Sequence, residues 1–260
     1  MAKKHDIIWY DTLDSTNDEA RRHILHLDNL SVISARRQTA GRGQRGSTWS
    51  AEAGLNLTFS IVCRYCGSLS EEYGSLPPVM ADDQFAISAL TALSVVSLLK
   101  SHGITAKVKW PNDIYVGNMK ICGILIENSL IGASLSHSII GIGLNVNQTV
   151  FDPSLPNPTS MAACNGREIK PATLLEEFMD IFSKSCTDYL STADGLPRLR
   201  TEYLERLWRM EETASYVETA SGREFSGRIK GLSEIGHIII EDTEKGELKE
   251  FAFKEIGYII

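Results

Sequence analysis

The sequence predicts an α+β fold followed by a small all-β module. Helical and strand-like patterns are mixed over the first part of the chain, and two helical stretches end that part. Beyond Arg209 the pattern changes to short β-like runs separated by glycines, as in a small barrel. At 260 residues the chain is long enough for one large and one small domain. We therefore expect a boundary near Met210, with domains over residues 1–210 and 211–260.

The first part begins with a helix, a strand and a second helix. Residues 16–26 are predicted to form the first helix, because Thr16 and the glutamate three positions later match a capping box. The same pattern leaves Ser15 and Thr16 open to interpretation as ordinary cap residues. Alternating polar and apolar residues predict a strand over 54–63. A long apolar stretch with acidic residues in its first turn predicts a helix over 82–102.

The rest of the first part is predicted to contain three strands, a proline-rich loop and two helices. The strands are expected at 106–116, 119–127 and 137–147, the loop at 151–158, and the helices at 173–189 and 196–208.

A two-residue turn at Gly117–Asn118 is expected to join the first two of these strands as a hairpin. That register pairs Tyr115 with Lys120 and Asp113 with Cys122. Asp113 and Lys120 then project from the same face as diagonal neighbours, with Cβ atoms about 7 Å apart.

The composition is that of a soluble globular protein. The formal net charge is −7, and hydrophobic and charged residues make up 43% and 23% of the chain. The N-terminal residues contain no long apolar run, and the apolar stretch at 89–99 is too short to span a membrane. An acidic protein without an extended Lys/Arg run is not expected to bind nucleic acid or a membrane surface as its main partner.

Five cysteines are scattered along the chain, which does not resemble a disulfide framework and favours a cytoplasmic location. Cys63 and Cys66 form a CxxC pair, but no second pair completes a zinc site. A metal or redox role and two ordinary thiols both remain open, and no metal ligand is predicted.

Residues 31–51 contain four arginines, three glycines and no acidic residue, although the protein as a whole is acidic. Such a loop favours an anionic ligand held by backbone N–H groups and guanidinium groups. A solvated glycine turn is the alternative. The segment Gly41–Gly46 also fits G-x-G-x-x-G, but a dinucleotide site needs a helix at the third glycine and an acidic residue about 20 positions later. Neither follows here, so a nicotinamide oxidoreductase is disfavoured.

The second motif is Lys109-Trp110-Pro111-Asn112-Asp113, followed by Lys120 across the turn. A lysine beside an aspartate on a hairpin is open to interpretation as a cross-strand ion pair. Near a phosphate-binding loop, a lysine also holds a carboxylate and a phosphate together and stabilises charge developing at phosphorus.

The third motif is Gly141-Ile142-Gly143-Leu144-Asn145. Two glycines weaken an apolar strand unless another group approaches its backbone closely. Asn145 is then a candidate hydrogen-bond donor to a ligand.

Together these motifs resemble those of the biotin protein ligases, and the similarity covers most of residues 10–150. The segments that carry it are Ser15–Asn17, Gln38–Gly46, Lys109–Asp113, Lys120–Glu127 and Gly141–Asn145. The family has a mixed-sheet catalytic domain with packed helices, of the class II synthetase-like biotin/lipoate ligase type, and a small SH3-like barrel. Its members make biotinyl-5′-adenylate from biotin and ATP and transfer biotin to one lysine of a carrier domain.

The resemblance implies a role for each matching residue. Lys120 would contact the biotin carboxylate and the adenylate phosphate, Arg42 would act with it, and Asp113 would orient or deprotonate the acceptor lysine. The biotin site would comprise Ser15, Thr16, Asn17, Gln38, Arg42, Gly43, Gln44, Lys120 and Gly123. The ATP and adenylate site would comprise Arg42, Arg45, Trp49, Lys109, Asn112, Lys120 and Asn145.

The resemblance also implies substrates and partners. Biotin and ATP are the expected substrates, with Mg²⁺ held largely by phosphates and water because no dense acidic cluster is present. The expected protein partner is the biotin carboxyl carrier domain of a carboxylase, and a homodimer is plausible by analogy. Ser15–Asn17 begins so early that no room is expected for the DNA-binding helix-turn-helix of some relatives.

Three alternatives to a biotin ligase remain at this point. A lipoate or octanoate ligase shares the fold and the adenylate chemistry, a non-enzymatic biotin sensor would share the binding site, and an oxidoreductase is disfavoured as described above. The chain also departs at Gln44 from the pattern of the family it resembles, in which many members carry arginine. The missing charge removes one potential contact to the adenylate.

Overall fold

The computed structural model describes residues 5–65 and 74–260, and a seven-stranded mixed sheet forms the centre of this part of the chain. The spatial order of its strands is β1-β2-β3-β7-β6-β5-β4. β1 and β2 are parallel, and every other neighbouring pair is antiparallel. The strands are β1 (Ile7–Leu13), β2 (Val32–Gln38), β3 (Leu57–Arg64), β4 (Lys107–Lys109), β5 (Asp113–Val116), β6 (Met119–Ile131) and β7 (Ser134–Leu144).

Helices cover both faces of this sheet. Apolar side chains of β3, such as Phe59, point to one face, where Phe59 packs edge-on against Phe178 with ring centroids 5.3 Å apart. The first helix lies on the opposite face, over the centre of the sheet. The helices are α1 (Thr16–Arg22), α2 (Phe85–Ser101), α3 (Met161–Asn165), α4 (Pro171–Leu190) and α5 (Gly195–Glu205). A single-turn 3₁₀ helix, Gln44–Gly46, lies in the basic loop.

Within the described residues, Ala81–Ser101 is long and apolar enough to cross a membrane by length and composition. It comprises α2 and the turn before it. Eleven residues of α2 are buried, and the helix packs against α4 and α5. It is therefore a core helix in this fold.

The C-terminal strands form a separate five-stranded antiparallel sheet in the order β11-β10-β9-β8-β12. They are β8 (Thr213–Glu218), β9 (Glu224–Leu232), β10 (Ile238–Asp242), β11 (Glu247–Phe251) and β12 (Ile256–Tyr258). Two buried indoles connect this sheet and the segment before it to the first part. Trp110 Nε1 donates to the Gly236 carbonyl at 2.9 Å, and Trp208 Nε1 donates to the Gly117 carbonyl at 2.9 Å. One continuous apolar core extends through both sheets.

The predicted α+β class with a small all-β module is confirmed, but three elements were not predicted. These are β1, β2 and α3. The predicted strand over 106–116 is two strands, because the chain turns at Trp110–Pro111, where the peptide bond is cis. The first helix starts at Thr16 as expected, but it ends at Arg22 and its cap is Ser15, one residue before the position that the capping box implied.

The β5–β6 hairpin contains a bulge that shifts the predicted register. Tyr115 pairs with Lys120 as expected, but Asp113 pairs with Gly123, so the predicted pairing of Asp113 with Cys122 is wrong. The bulge adds Ile121 to β6. At the turn itself, Gly117 has a φ of +58°, a conformation that favours glycine.

Candidate active site

A cavity of ≈ 300 Å³ lies between the open face of the large sheet, α1, the basic loop and the C-terminal sheet. Thirteen of the residues predicted from the sequence line it: Ser15, Thr16, Asn17, Gln38, Arg42, Gly43, Gln44, Trp49, Lys109, Asn112, Asp113, Lys120 and Gly123. Segments more than 100 residues apart in the sequence therefore meet around one space. The predicted Arg45 side chain lies outside what the structure describes.

The floor of the cavity is a row of paired residues that crosses five strands. Thr58 of β3 pairs with Gly143 of β7, Gly143 with Gly123 of β6, Gly123 with Asp113 of β5, and Asp113 with Lys109 of β4. Directly paired residues project from the same face of a sheet. The residues at the centre of the row are the glycines Gly143 and Gly123, and those at one end are the charged Asp113 and Lys109. The bulge in β6 produces this alignment, because without it Gly123 would not face Asp113.

The glycines of β7 leave room for side chains that lie against the backbone. A Cβ added at Gly143 would clash with the Trp49 indole, and one added at Gly141 would clash with Asn17 Oδ1. The expectation that another group approaches this strand closely is therefore confirmed at both positions.

At the α1 end of the cavity, the polar side chains bond to one another. Ser60 Oγ lies 2.6 Å from Asn17 Oδ1 and 2.8 Å from Thr16 Oγ1. The Thr16 backbone N–H and hydroxyl both reach Gln38 Oε1, at 2.8 and 3.1 Å, and Asn17 Nδ2 donates to Glu127 Oε2 at 2.8 Å. Thr16, Asn17 and Ser60 are buried. Each buried polar group in this network has a partner, which holds the network in one arrangement.

The basic loop folds back on itself as a short hairpin. Gly43 N–H donates to the Ser47 carbonyl at 2.7 Å, and Trp49 N–H donates to the Gly41 carbonyl at 2.9 Å. Side chains at Gly41 and Gly43 would clash with Trp49 and Ser47 across this turn. The glycines therefore make the tight turn that brings Arg42 and Trp49 to the cavity.

The Arg42 guanidinium is paired with acids from two elements. Its Nη2 lies 2.9 Å from Asp18 Oδ1 of α1 and 3.0 Å from Glu127 Oε2 of β6. Arg21 contacts the same two carboxylates, each at 2.6 Å. These four side chains form a compact group of two positive and two negative charges, which holds the loop against α1.

A second charged group lies at the other side of the cavity. Lys120 Nζ is 2.7 Å from Asp113 Oδ1 and 5.8 Å from the centroid of a Trp49 ring. The cross-strand ion pair considered above is therefore present, and it faces the cavity. Lys109, opposite Asp113 in the ladder, has its Nζ 4.6 Å from the Tyr258 ring centroid and 5.2 Å from that of Tyr115.

Two buried polar atoms in the loop lack a hydrogen-bond partner within the described part of the chain. They are Gln44 Oε1 and Trp49 Nε1. Both residues line the cavity. Leaving a buried polar atom unbonded costs about 1–3 kcal/mol. A ligand that supplies a donor and an acceptor here would remove that cost.

Two predicted asparagines use their amides within the protein. Asn145 is absent from the cavity wall, since its Nδ2 donates to the Thr159 carbonyl at 2.9 Å. Its backbone N–H donates to the Ile121 carbonyl, beside Lys120. Asn112 reaches the wall, but its Nδ2 donates to the Ile124 carbonyl at 2.8 Å.

Cys63, Cys122 and Cys186 are buried free thiols. Burial raises the pKa of Cys63 and Cys122 well above the usual value and raises the pKa of Cys186 to about 12. Cys66, the other half of the CxxC pair, lies outside the described residues. Across 5–65 and 74–260, no group of three or more His, Cys, Asp or Glu side chains is placed to hold a metal ion.

Sequence reasoning missed the part of the cavity contributed by the C-terminal sheet. Phe253, Ile256, Gly257 and Tyr258 all line it. It also gave no role to Ser60, although strand parity places Ser60 and Thr58 on the same face of β3. No local pattern marks Tyr258, whose position depends on how the two sheets pack.

Comparisons with known proteins show the family and the fold of this chain. The profile of the Biotin/lipoate A/B protein ligase family matches residues 9–145. The biotin–[acetyl-CoA-carboxylase] ligase of Paracoccus denitrificans is 28% identical over 234 residues, which are 87% of this chain and 90% of the relative. The human biotin–protein ligase is 32% identical over 84% of this chain and 29% of its own length.

A solved structure shares the fold over nearly the whole chain. The biotin protein ligase of Aquifex aeolicus, in complex with biotin and ATP, superposes with a TM-score of 0.74 at 24% identity, covering 97% of both chains. Since the family profile covers more than half of the sequence, the chain belongs to the Biotin/lipoate A/B protein ligase family.

Proposed function

We propose that this protein is an ATP-dependent biotin protein ligase. It joins biotin and ATP into biotinyl-5′-adenylate and pyrophosphate, then transfers biotin to a lysine of a carrier domain and releases AMP. The observation that carries the proposal is the convergence of Arg42, Lys120 and Lys109 on one cavity beside a buried network of neutral polar side chains. Neutral polar groups suit the uncharged ring of biotin, and the cations suit the acids that react.

In the first step, a carboxylate oxygen of biotin attacks the α-phosphorus of ATP, and the bond to the β-phosphate oxygen breaks. Two anions must approach each other, so positive charge around them lowers the barrier. Lys120 is proposed to contact both the biotin carboxylate and the phosphate. Arg42 is proposed to act with it from the loop, and Lys109 to contact the nucleotide from the other side.

The remaining predicted residues form the binding walls. Ser15, Thr16, Asn17, Gln38, Gly43, Gln44 and Gly123 are proposed to line the biotin site, and Arg45, Trp49, Asn112 and Asn145 to serve the nucleotide site. For Asn145 this role is indirect, because its amide supports the chain beside Lys120. The indole of Trp49 lies against both Gly143 and Lys120, so it suits stacking at the junction of the two substrates.

In the second step, the ε-amine of the acceptor lysine attacks the acyl carbon of the adenylate, and the bond to the phosphate oxygen breaks. The amine must lose a proton. Asp113 is proposed to orient or deprotonate it, because its carboxylate lies in the cavity beside Lys120. AMP is the leaving group, and the ammonium of Lys120 is proposed to neutralise part of its negative charge.

The proposal includes the partners of the reaction. The carrier domain of a biotin-dependent carboxylase supplies the acceptor lysine, and Mg²⁺ enters with ATP, bound by phosphates and water, as suits a site without a carboxylate cage among the described residues. We further propose a cytoplasmic enzyme with domains over 1–210 and 211–260, with neither DNA nor a membrane as a partner. A homodimer is part of the same proposal.

The test is ATP–pyrophosphate exchange with purified protein, followed by transfer to a purified carrier domain. Exchange is expected with biotin and not with lipoate or octanoate, and the carrier is expected to gain one biotin. Exchange supported by lipoate would instead favour a lipoate ligase. Biotin binding by calorimetry without any exchange would favour a sensor and overturn the proposal.

A further inference from the structure

We infer that Tyr258, in the last strand of the C-terminal sheet, is a positioning residue that holds Lys109 in place for the nucleotide step. This inference rests on the proposed function and names a residue that extends it. Tyr258 reaches the cavity from β12, whereas Lys109 comes from β4 of the large sheet. The two sheets therefore meet at this contact.

The geometry is that of a cation held on aromatic faces. The Lys109 Nζ lies 4.6 Å from the Tyr258 ring centroid and 5.2 Å from that of Tyr115. Both distances are within the roughly 6 Å over which an ammonium is attracted to an aromatic face. Tyr115 belongs to β5, the strand paired with β4, so one ring is supplied by each sheet.

The position of Lys109 matters because of its neighbours in the ladder. Lys109 pairs directly with Asp113, and Asp113 forms the ion pair with Lys120. Asp113 thus stands between two lysines on one face. The aromatic contacts set the direction of the Lys109 ammonium within the cavity wall, next to the Asp113–Lys120 ion pair.

The Tyr258 ring is itself held firmly. It packs against Tyr216, with ring centroids 5.4 Å apart, and against Trp208, at 5.8 Å. Its hydroxyl is buried without a hydrogen-bond partner among the described residues, and burial raises its pKa above the usual value. The ring face, and not the hydroxyl, is therefore the part that acts on Lys109.

The experiment compares substitutions that keep or remove the ring, using biotin-dependent ATP–pyrophosphate exchange. Tyr258→Phe is expected to leave the KM for ATP within about twofold. Tyr258→Leu is expected to raise that KM about tenfold, while the KM for biotin changes little. Phe225→Leu is the matched control, because Phe225 belongs to the same C-terminal aromatic cluster but lies outside the cavity. It is expected to leave both KM values unchanged.

A double-mutant cycle separates positioning from packing. Lys109→Met alone is expected to raise the KM for ATP about tenfold, and Tyr258→Leu added to it is expected to have little further effect on that KM. Equal KM effects of Tyr258→Leu and Phe225→Leu would overturn the inference, and so would a full additional effect of Tyr258→Leu in the Lys109→Met background. If Tyr258→Leu does not fold, an unchanged KM for ATP in Lys109→Met still overturns the inference. Absence of exchange in the unmodified protein would instead defeat the proposed function.

Discussion

The two ends of the cavity differ in how completely their polar groups are bonded. At the α1 end, Asn17 and its neighbours form a closed network in which donors and acceptors are matched. At the loop end, Gln44 Oε1 and Trp49 Nε1 are buried without partners among the described residues. The first end is therefore hydrogen-bonded without a ligand. The second end keeps one donor and one acceptor for a ligand to bond.

This difference fits the order of the proposed chemistry. A rigid, neutral, polar pocket selects one small molecule, because a ligand that leaves a buried group unpaired loses affinity. A loop that completes its bonding on the ligand closes the site only after binding. The loop is also held in its present position by the ion pairs of Arg42 with Asp18 and Glu127. A phosphate or carboxylate would compete for that arginine.

The largest expected effect lies between the two ends, at Lys120. Lys120→Ala should lower kcat for adenylate formation by at least about 100-fold, because charge developing at phosphorus loses a preorganised cation. Exchange kinetics measure the loss. Lys107→Ala, an exposed lysine of β4, is the control and should behave as the unmodified protein. Near-normal exchange by Lys120→Ala, with an unchanged thermal unfolding midpoint, would remove this lysine from the mechanism.

The next largest effects should show that each end of the cavity binds a different substrate. Gly143→Ala should displace the Trp49 indole and raise the KM for ATP, whereas Gly141→Ala should displace Asn17 and raise the KM for biotin. Each shift should be about tenfold or more, since neither neighbour has room to yield without losing its contact. Steady-state kinetics with each substrate varied in turn provide the measurement, and each variant is the control for the other. Identical KM changes in both variants would contradict the division of the cavity.

The difference in hydrogen bonding between the two ends of the cavity should also affect the free energy of unfolding of the ligand-free protein. Ser60→Ala removes a donor from Asn17 Oδ1 inside a buried network, so the free energy of unfolding should fall by about 1–3 kcal/mol. Gln44→Ala removes an acceptor that has no partner, so the change should be below about 0.5 kcal/mol. Urea unfolding of both variants tests the difference. A larger loss for Gln44→Ala would mean that the loop end is already fully bonded.

The smallest expected effect concerns adenylate retention. Gln44→Arg adds a positive charge to the loop and should slow the escape of the adenylate by about three- to tenfold through one additional charge-assisted hydrogen bond. Release of labelled adenylate from preformed complex gives the rate. Gln44→Met, similar in length but uncharged, is the control. An escape rate in Gln44→Arg equal to that of the unmodified protein would exclude this role for the position.

Sequence patterns predicted the part of the site that lies on contiguous motifs. The loop around Arg42 and the lysines of the hairpin carry their chemistry in short segments, and all reach the cavity. The bulge was not predictable, because Ile121 and Cys122 are both apolar and either fits the buried face. Tyr258 could not be predicted for a different reason, since its contact with Lys109 depends on how the two sheets pack.

The missed elements have similar physical causes. β1 lies at the edge of the large sheet and is largely half-exposed, so its residues lack a clear alternation. β2 has four buried residues followed by the exposed Arg36 and Arg37. These arginines belong to the basic segment, so the short apolar run before them did not stand out as a strand. The first helix was predicted too long because residues 23–26 form a turn instead. In each case the local sequence signal was weak or misleading.

The chain has four tryptophans, and three of them lie in surroundings that make them useful intrinsic fluorescence probes. Trp110 and Trp208 are only 3% and 6% exposed, and each donates its indole N–H to a backbone carbonyl. Trp49 belongs to the loop and faces the cavity. Because indole emission shifts with polarity, fluorescence changes on adding substrates will originate mainly from Trp49 and Trp110, which both line the cavity. Separation of the two sheets will affect Trp110 and Trp208, whose indole N–H bonds it would break.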